Sequence, residues 1–333
     1  MIRSTPPVTD PVGVVGLGRV GSHAARQLRS GTAPLVIFDS NTHVTERVLG
    51  ALRPVDRAAA GPDLAARTVV LATPAGRHTA AAATLIRAGS SVVSTSDDPK
   101  DVRGLLALDR AARQNGVTVV AGVGLSPGYS CLHALFASRH FERVEELSVW
   151  TTGTAGPACA SRHHRSLQLP GQVIIDGQWV EKRGGSGRDL AWFPGELGAR
   201  DCYRGSLAEP ILLRRLFPHA QRISSRTSAT RRDRLTGALP MLRRPHLDGG
   251  PGGIRVEVRG LADGGYRTEV VGMMGFPSVA AGATAAVAAL HVHHNQPSPG
   301  AMGLAELVDG NPRTMLAELH ARGITASRFE GAS

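Results

Sequence analysis

Aromatic side chains make up only 4% of this 333-residue chain, a scarcity that removes the stacking platforms on which single-stranded nucleic acids bind. Lysine is almost missing: Lys100 and Lys182 stand among 38 basic residues, and the rest are arginine. The net charge of +11 is spread along the chain, with 16 basic against 12 acidic side chains in residues 1–150 and 22 against 15 in residues 151–333. No basic tail or domain stands out, so a nucleic-acid partner is not expected. The three cysteines, Cys131, Cys159 and Cys202, lack C-x-x-C spacing. That argues against a disulfide framework or a thiolate zinc site and fits a reducing, cytoplasmic setting. The longest small-apolar run, VAAGATAAVAAL at 279–290, is far too short to cross a bilayer, so no membrane partner is expected. The opening MIRSTPPVTDP has no apolar stretch of the signal-peptide kind and reads as a loose leader.

Glycine, by contrast, is plentiful and placed with a pattern. VGVVGLG is an apolar run ending in glycines, followed by the helical spacing of SHAARQLRS, and it sets G-x-G-x-x-G at Gly16, Gly18 and Gly21. In a strand–turn–helix unit the first glycine makes the turn, the second admits a pyrophosphate to the backbone, and the third lets helix lie on strand. The amides around Leu17, Gly18, Arg19 and Val20 then face an anion at a helix N-terminus. PLVIFDS at 34–40 reads as the next strand and ends in Asp39 and Ser40, where an acid about twenty residues past the glycines receives the adenosine ribose hydroxyls. A carboxylate there repels a 2′-phosphate, since two unit charges ~4 Å apart cost about 4 kcal/mol at an effective dielectric near 20. NAD is therefore the expected cofactor. Arg47, or Arg53, folded over the ribose would admit NADP.

TVVLATP at 68–74, SVVSTSDDP at 91–99 and VTVVAGVG at 117–124 continue as apolar strands, with helices expected over 77–89 and from about Lys100 to Asn115. Such alternation defines an α/β fold, a Rossmann doubly wound parallel sheet whose ligands sit at the carboxyl ends of the strands. Ala72, Thr73, Pro74, Ser94, Thr95 and Ser96 are expected to line the cofactor. One of Asp97 and Asp98 is expected to cap the next helix, and the other to hold a substrate ammonium or relay a proton.

GVGLSPGYS at 122–130 then lies on the nicotinamide side of the crevice. Its glycines point to close approach of a ligand near Gly124, Ser126 suits an N-cap, and Pro127 suits the first helical position. Tyr129 just beyond is a substrate-side candidate.

The second half changes character. Strand patterns at 144–153, hairpin signals at Asp176-Gly177 and Asp263-Gly264, and a helix near Leu207–Phe217 predict a second, smaller α+β domain of mainly antiparallel sheet. Residues 277–294 read as an Ala-rich helix and RTMLAELHARG as the last one. The expected divisions are a dinucleotide domain over 1–125, a substrate and dimerisation domain over 126–275, and C-terminal helices over 276–333 returning to the first domain. His163, in the polar stretch ACASRHHRS read as a loop, is a candidate to reach the crevice. Between Arg214 and Arg244 many arginines accompany a single acid, Asp233. A solvated face is the simplest reading, and a substrate-carboxylate clamp at Arg231 or Arg232 is the sharper one. No metal-spaced cluster stands out, and His291, His293 and His294 at a helix end lack a third ligand.

V-V-G-L-G-R-V-G at the start, S-D-D-P after the fifth strand, and A-G-V-G-L-S-P-G-Y-S after the sixth together resemble the saccharopine dehydrogenase-like family, whose relatives include lysine 6-dehydrogenase and, more distantly, diaminopimelate dehydrogenase. WFPGELG, AEPILLRRLFP and IRVEVRG are similar more loosely, in order and spacing. The resemblance implies a Rossmann domain joined to a smaller domain by the Pro-Gly turn, a homodimer, and NAD(P)-dependent oxidoreduction at a carbon–nitrogen bond of an anionic or zwitterionic amino-acid-type substrate. Diaminopimelate dehydrogenase-like proteins carry Asp before Pro-Gly. Here Ser126 stands there, able to hydrogen-bond but not to supply charge. Two other readings compete: an NAD-binding regulatory module without catalysis, and a sugar or hydroxy-acid dehydrogenase on the same plan.

Overall fold

The computed structural model describes residues 10–31, 33–241, 245–247 and 249–329. The N-terminal leader up to Thr9, and Arg243 and Arg244 of the arginine-rich segment, lie outside the described residues.

The first half builds β1 (Val12–Val15), α1 (Arg19–Leu28), β2 (Leu35–Phe38), α2 (Thr42–Leu49), β3 (Arg57–Ala58), β4 (Thr68–Leu71), α3 (His78–Arg87), β5 (Ser91–Ser94), α4 (Pro99–Leu106), α5 (Asp109–Gln114) and β6 (Thr118–Ala121). The second half builds α6 (Tyr129–Ser138), β7 (Arg143–Thr152), α7 (Pro157–Ser166), β8 (Gly171–Ile175), β9 (Gln178–Lys182), β10 (Asp189–Phe193), β11 (Gly198–Tyr203), α8 (Glu209–Leu216), β12 (Arg222–Ser228), α9 (Arg231–Thr236), β13 (Gly252–Ala262) and β14 (Gly265–Gly275). The chain closes with α10 (Pro277–Asn295), β15 (Gly300–Gly303), α11 (Leu304–Leu307), α12 (Arg313–Ala321) and β16 (Ala326–Arg328).

The first sheet is parallel throughout, in the order β15-β6-β5-β4-β1-β2-β3. β1 lies between β2 and β4, so the winding reverses there and a crevice opens beyond the carboxyl ends of β1 and β4. β1, β4 and β6 are buried at every position, as expected of strands covered on both faces. The second sheet has nine strands in the order β10-β11-β12-β7-β13-β14-β16, with the β8-β9 hairpin attached to β12. It is the expected mainly antiparallel sheet, with one parallel pair, β7 and β12. Both anticipated hairpin turns form, with positive φ at Asp176 and Gly177 and at Asp263 and Gly264.

Three local expectations are corrected. The helix expected from Lys100 to Asn115 breaks into α4 and α5 at Ala107 and Leu108, and Asp109, opening α5, accepts the Ala301 backbone N–H at 2.8 Å and the Arg113 guanidinium at 2.8 Å. α6 begins at Tyr129, since Gly128 (φ +122) is not helical, so Pro127 is not its first residue and Ser126 is not its cap. His163, His164 and Arg165 lie in α7 rather than in a loop.

The C-terminal segment contains strands as well as the expected helices. α10 packs along α1, where a methyl on Gly282 would stand 2.5 Å from His23 Cβ, and β15 extends the parallel sheet beside β6. β16 then crosses to pair with β14 in the second sheet. The tail beyond residue 276 therefore ties both sheets together, and one continuous apolar core runs from β1 through α6 to β13.

Candidate active site

The glycine turn is built as the sequence spacing requires. Gly16 has φ +88, and a β-carbon on it would sit 2.8 Å from the Ala72 carbonyl. A β-carbon on Gly21 would fall 1.8 Å from the Gly16 carbonyl oxygen, so only glycine lets α1 lie on the strand. Gly18 differs from both: a β-carbon there meets no atom within 4 Å. No side chain caps the α1 N-terminus. Close packing behind the turn and open space before it form a cradle matching a pyrophosphate on free helix amides.

Asp39 stands beside this cradle. Its carboxylate accepts the Leu17 N–H at 2.7 Å and the Asn41 N–H at 2.9 Å. Each oxygen keeps acceptor capacity for a ribose hydroxyl. These residues fit the dinucleotide implied by the fold. Ser40 is exposed just past Asp39. Arg53 is corrected as a ribose candidate, because its guanidinium binds the Gly31 carbonyl in the α1–β2 connection and the Asp56 carboxylate before β3.

A buried polar scaffold fixes the loops after β4 and β5. His78 is fully buried and kept below its ordinary pKa by burial, against weaker opposing help from the Thr73 backbone and from Asp101 and Asp97. Its Nε2 lies 2.8 Å from the Thr73 carbonyl and its Nδ1 2.9 Å from Ser94 Oγ. A neutral imidazole donating from Nε2 and accepting from Ser94 satisfies both contacts. Asp101 accepts the Gly76 N–H at 2.6 Å and the Ser96 hydroxyl at 2.7 Å. Thr95 donates to the Leu71 carbonyl at 3.1 Å. Ser94 and Ser96 thus hold the rim through their side chains, while Ala72, Thr73 and Pro74 form the neighbouring loop.

Asp97 and Asp98 take different partners. Asp98 is the N-cap of α4 and accepts the Lys100 N–H at 2.7 Å. Asp97 turns to the second domain, where α7 meets it with two cations. Arg162 Nε lies 2.8 Å from Asp97 Oδ1, and His163 Nε2 2.9 Å from Oδ2. Arg162 also donates to the Asp97 carbonyl and, at 3.1 Å, to the Ser206 carbonyl. Burial would raise the Asp97 carboxyl, but Arg162 and His163 outweigh it and hold it below the ordinary value. Burial would lower His163, yet the Cys159 sulfur and the Asp97 carboxylate together raise it to about 10. His163 is therefore an imidazolium at neutral pH. Both of its hydrogen bonds use Nε2, the second to Cys159 Sγ at 3.9 Å. Nδ1 has no hydrogen-bond partner among the described residues.

Asp97, Cys159 and His163 also bring three metal-type donor atoms within 4.8 Å of one another. Sequence spacing gave no such cluster, because Asp97 joins Cys159-x-x-x-His163 across 62 residues. Arg162 on Asp97 Oδ1 already balances the carboxylate, which weakens the case for a cation there.

The GVGLSPGYS stretch is corrected in its role. Its glycines approach protein rather than open space: a β-carbon on Gly122 would meet Leu212 at 2.6 Å, and one on Gly128 would meet the Gly124 carbonyl at 2.5 Å. Gly124 and Pro127 are buried and bonded to one another, Gly124 N–H to the Pro127 carbonyl at 2.9 Å. Tyr129 is buried, with its hydroxyl on the Ile324 carbonyl at 3.3 Å. Ser126 donates to Glu209 of α8. An acid does therefore stand at this turn, supplied from 83 residues away.

Arg231 and Arg232 are exposed on the short helix α9 and are not joined to the Asp97 cluster. Other arginines of that segment hold the second domain together: Arg214 binds the Gly177 carbonyl at 2.9 Å, and Arg234 binds the Gly185 carbonyl at 2.8 Å and stacks on Tyr203. Sequence reasoning missed His78, Asp101, Arg162 and Glu209. Only Arg162 had a local signal, as the neighbour of His163.

A doubly wound parallel sheet joined to a mainly antiparallel sheet, with an acid–imidazole–guanidinium cluster between them, makes a two-domain architecture. Among solved structures, the chain is similar to the apo saccharopine dehydrogenase (L-Glu forming) of Saccharomyces cerevisiae, 14% identical over 96% of this chain and 100% of that one, with a TM-score of 0.67. It is also similar to the C. glutamicum DAP dehydrogenase in complex with DAP, 15% identical over 93% and 99% of the chains, with a TM-score of 0.52. At these identities the likeness is one of fold, the fold the sequence resemblance implied. No protein-family model matches the sequence, and no curated protein matches it.

Proposed function

We propose that this protein is an NAD-dependent oxidoreductase acting at a carbon–nitrogen bond of an amino acid or amino-acid conjugate. The observation that carries the reading is the pairing of Asp97, from the rim of the dinucleotide crevice, with Arg162 and His163 from the second domain. A regulatory module that only senses a dinucleotide has no use for a proton-holding cluster drawn from two domains.

The roles follow from the geometry. Gly16, Leu17, Gly18, Arg19, Val20 and Gly21 would hold the pyrophosphate and Asp39 the adenosine ribose. A bound nicotinamide supplies hydride transfer. Asp97 fixes the His163 ring through Nε2 and favours its protonated form, leaving Nδ1–H to give a proton to a substrate nitrogen. Arg162 neutralises Asp97 and keeps that carboxylate from leaving the imidazole. The fold likeness to a saccharopine and a DAP dehydrogenase supports an amino-acid-type substrate. A homodimer and a cytoplasmic setting belong to the same proposal.

Calorimetric titration with NADH and, separately, NADPH tests the first half of it. NADH should bind at least tenfold more tightly than NADPH, since a third of the charge repulsion at Asp39 already amounts to about 1.4 kcal/mol. In Asp39→Gly the preference should narrow or reverse. A wild-type preference for NADPH would overturn the role of Asp39 and turn attention to Arg47. Binding of neither nucleotide would sink the enzyme reading.

A further inference from the structure

One buried acid serves neither the dinucleotide cradle nor the Asp97 cluster. Glu209 opens α8 and is only 2% exposed. One of its oxygens, Oε1, accepts the Ser126 hydroxyl at the Pro-Gly turn. The other, Oε2, is buried with no hydrogen-bond partner among the described residues. An unmatched oxygen of this kind is costly, and a glutamine would anchor α8 to Ser126 equally well without bringing a charge inside. The surroundings are charged as well. Burial raises the Glu209 carboxyl most, Ser126 opposes this, and Asp97 and Arg162 both lie within electrostatic reach. Cys131 of α6 senses Glu209 too. Arg162 donates to the Ser206 carbonyl, three residues before Glu209, at 3.1 Å, so the start of α8 adjoins the Asp97–Arg162–His163 cluster.

We propose that Glu209 receives the protonated amine of the substrate through Oε2, so that the site selects an amine over the matching alcohol; this rests on the oxidoreductase reading above. Ser126 acts as the holder, fixing Oε1 and turning Oε2 toward the incoming group. With Asp97 already matched by Arg162 and His163, Glu209 is the acid still lacking a donor, and an ammonium offers three.

The test uses the full chain saturated with NADH and titrated calorimetrically with L-glutamate, L-lysine, saccharopine and, as the alcohol counterpart of L-glutamate, L-2-hydroxyglutarate. At least one amine should bind wild type roughly tenfold or more tightly than it binds Glu209→Gln, the loss expected for a charge-assisted hydrogen bond. Glu209→Gln should keep its NADH affinity and melt no lower than wild type, and Glu209→Asp should restore part of the amine affinity. Three results would overturn the inference: undiminished amine binding by Glu209→Gln, loss of amine and NADH binding together with a lowered melting temperature, or NADH binding by wild type with no amine bound. Failure of wild type to bind NADH would instead remove the oxidoreductase reading, and this assignment with it.

Discussion

His163→Gln is expected to lower kcat/KM on an amine substrate by roughly 10²- to 10⁴-fold, the range for loss of a positioned acid–base group, while NADH binds as before. Glutamine can still reach Asp97 but cannot hold a transferable proton. Steady-state kinetics beside a calorimetric NADH titration would check this, and full turnover by the variant would remove His163 from the chemistry. The same cluster sets a pH dependence of stability. The His163 pKa is raised by folding, from about 6.5 to about 10. Its contribution is therefore fully present below about pH 6.5 and is lost as pH rises toward 10. The Asp97 value is lowered by folding, so its contribution is present above the ordinary carboxylate range and is lost as pH falls through the folded value. Denaturant unfolding of wild type and His163→Gln across pH should converge at the alkaline end. Asp97→Asn, which leaves Arg162 and His163 as inward-facing cations without an anion, should cost about 3 kcal/mol or more at neutral pH.

Gly21→Ala should destabilise the protein by about 3 kcal/mol and abolish measurable NADH binding. A β-carbon at 1.8 Å from the Gly16 carbonyl oxygen forces α1 off the strand, and the cradle moves with it. Gly18→Ala is the contrasting variant. With no atom within 4 Å of the added methyl, its stability should stay within ~0.5 kcal/mol of wild type, yet NADH affinity should fall at least tenfold, because the space it fills is where the pyrophosphate lies. Urea denaturation and NADH titration of the pair separate a turn that needs glycine for packing from one that needs it for a ligand. Equal NADH affinity in Gly18→Ala and wild type would mean that the open space before the turn is not the anion site.

The two variants also mark where sequence reading succeeds. The roles of Gly16, Gly18 and Gly21 follow from a motif spanning six residues, so the geometry is local and the spacing carries it. Asp39 and the division of labour between Asp97 and Asp98 were legible for the same reason, being set by where a strand ends and a helix begins. The GVGLSPGYS turn misled because glycine reports close approach without naming the neighbour. There the neighbours are Leu212 of α8 and the turn's own backbone, and no pattern within nine residues distinguishes those from a cofactor. The contact of Asp109 with the Ala301 amide was hidden in the same way, since its partner lies 192 residues away.

By itself, then, the sequence determined the parallel α/β half, its glycine cradle with Asp39, the antiparallel second half with its two Asp-Gly hairpins, and the helix over 277–294. Hydrophobic period, turn chemistry and motif spacing act over a few residues and can be read in order. Only the tertiary structure decided which groups meet across the crevice: Asp97 with Arg162 and His163 over 65 and 66 residues, Ser126 with Glu209 over 83, and β15 and β16 with different sheets. Those contacts depend on how two separately patterned halves close on one core, and the partners brought together there, against the effect of burial, set the pKa shifts of Asp97 and His163.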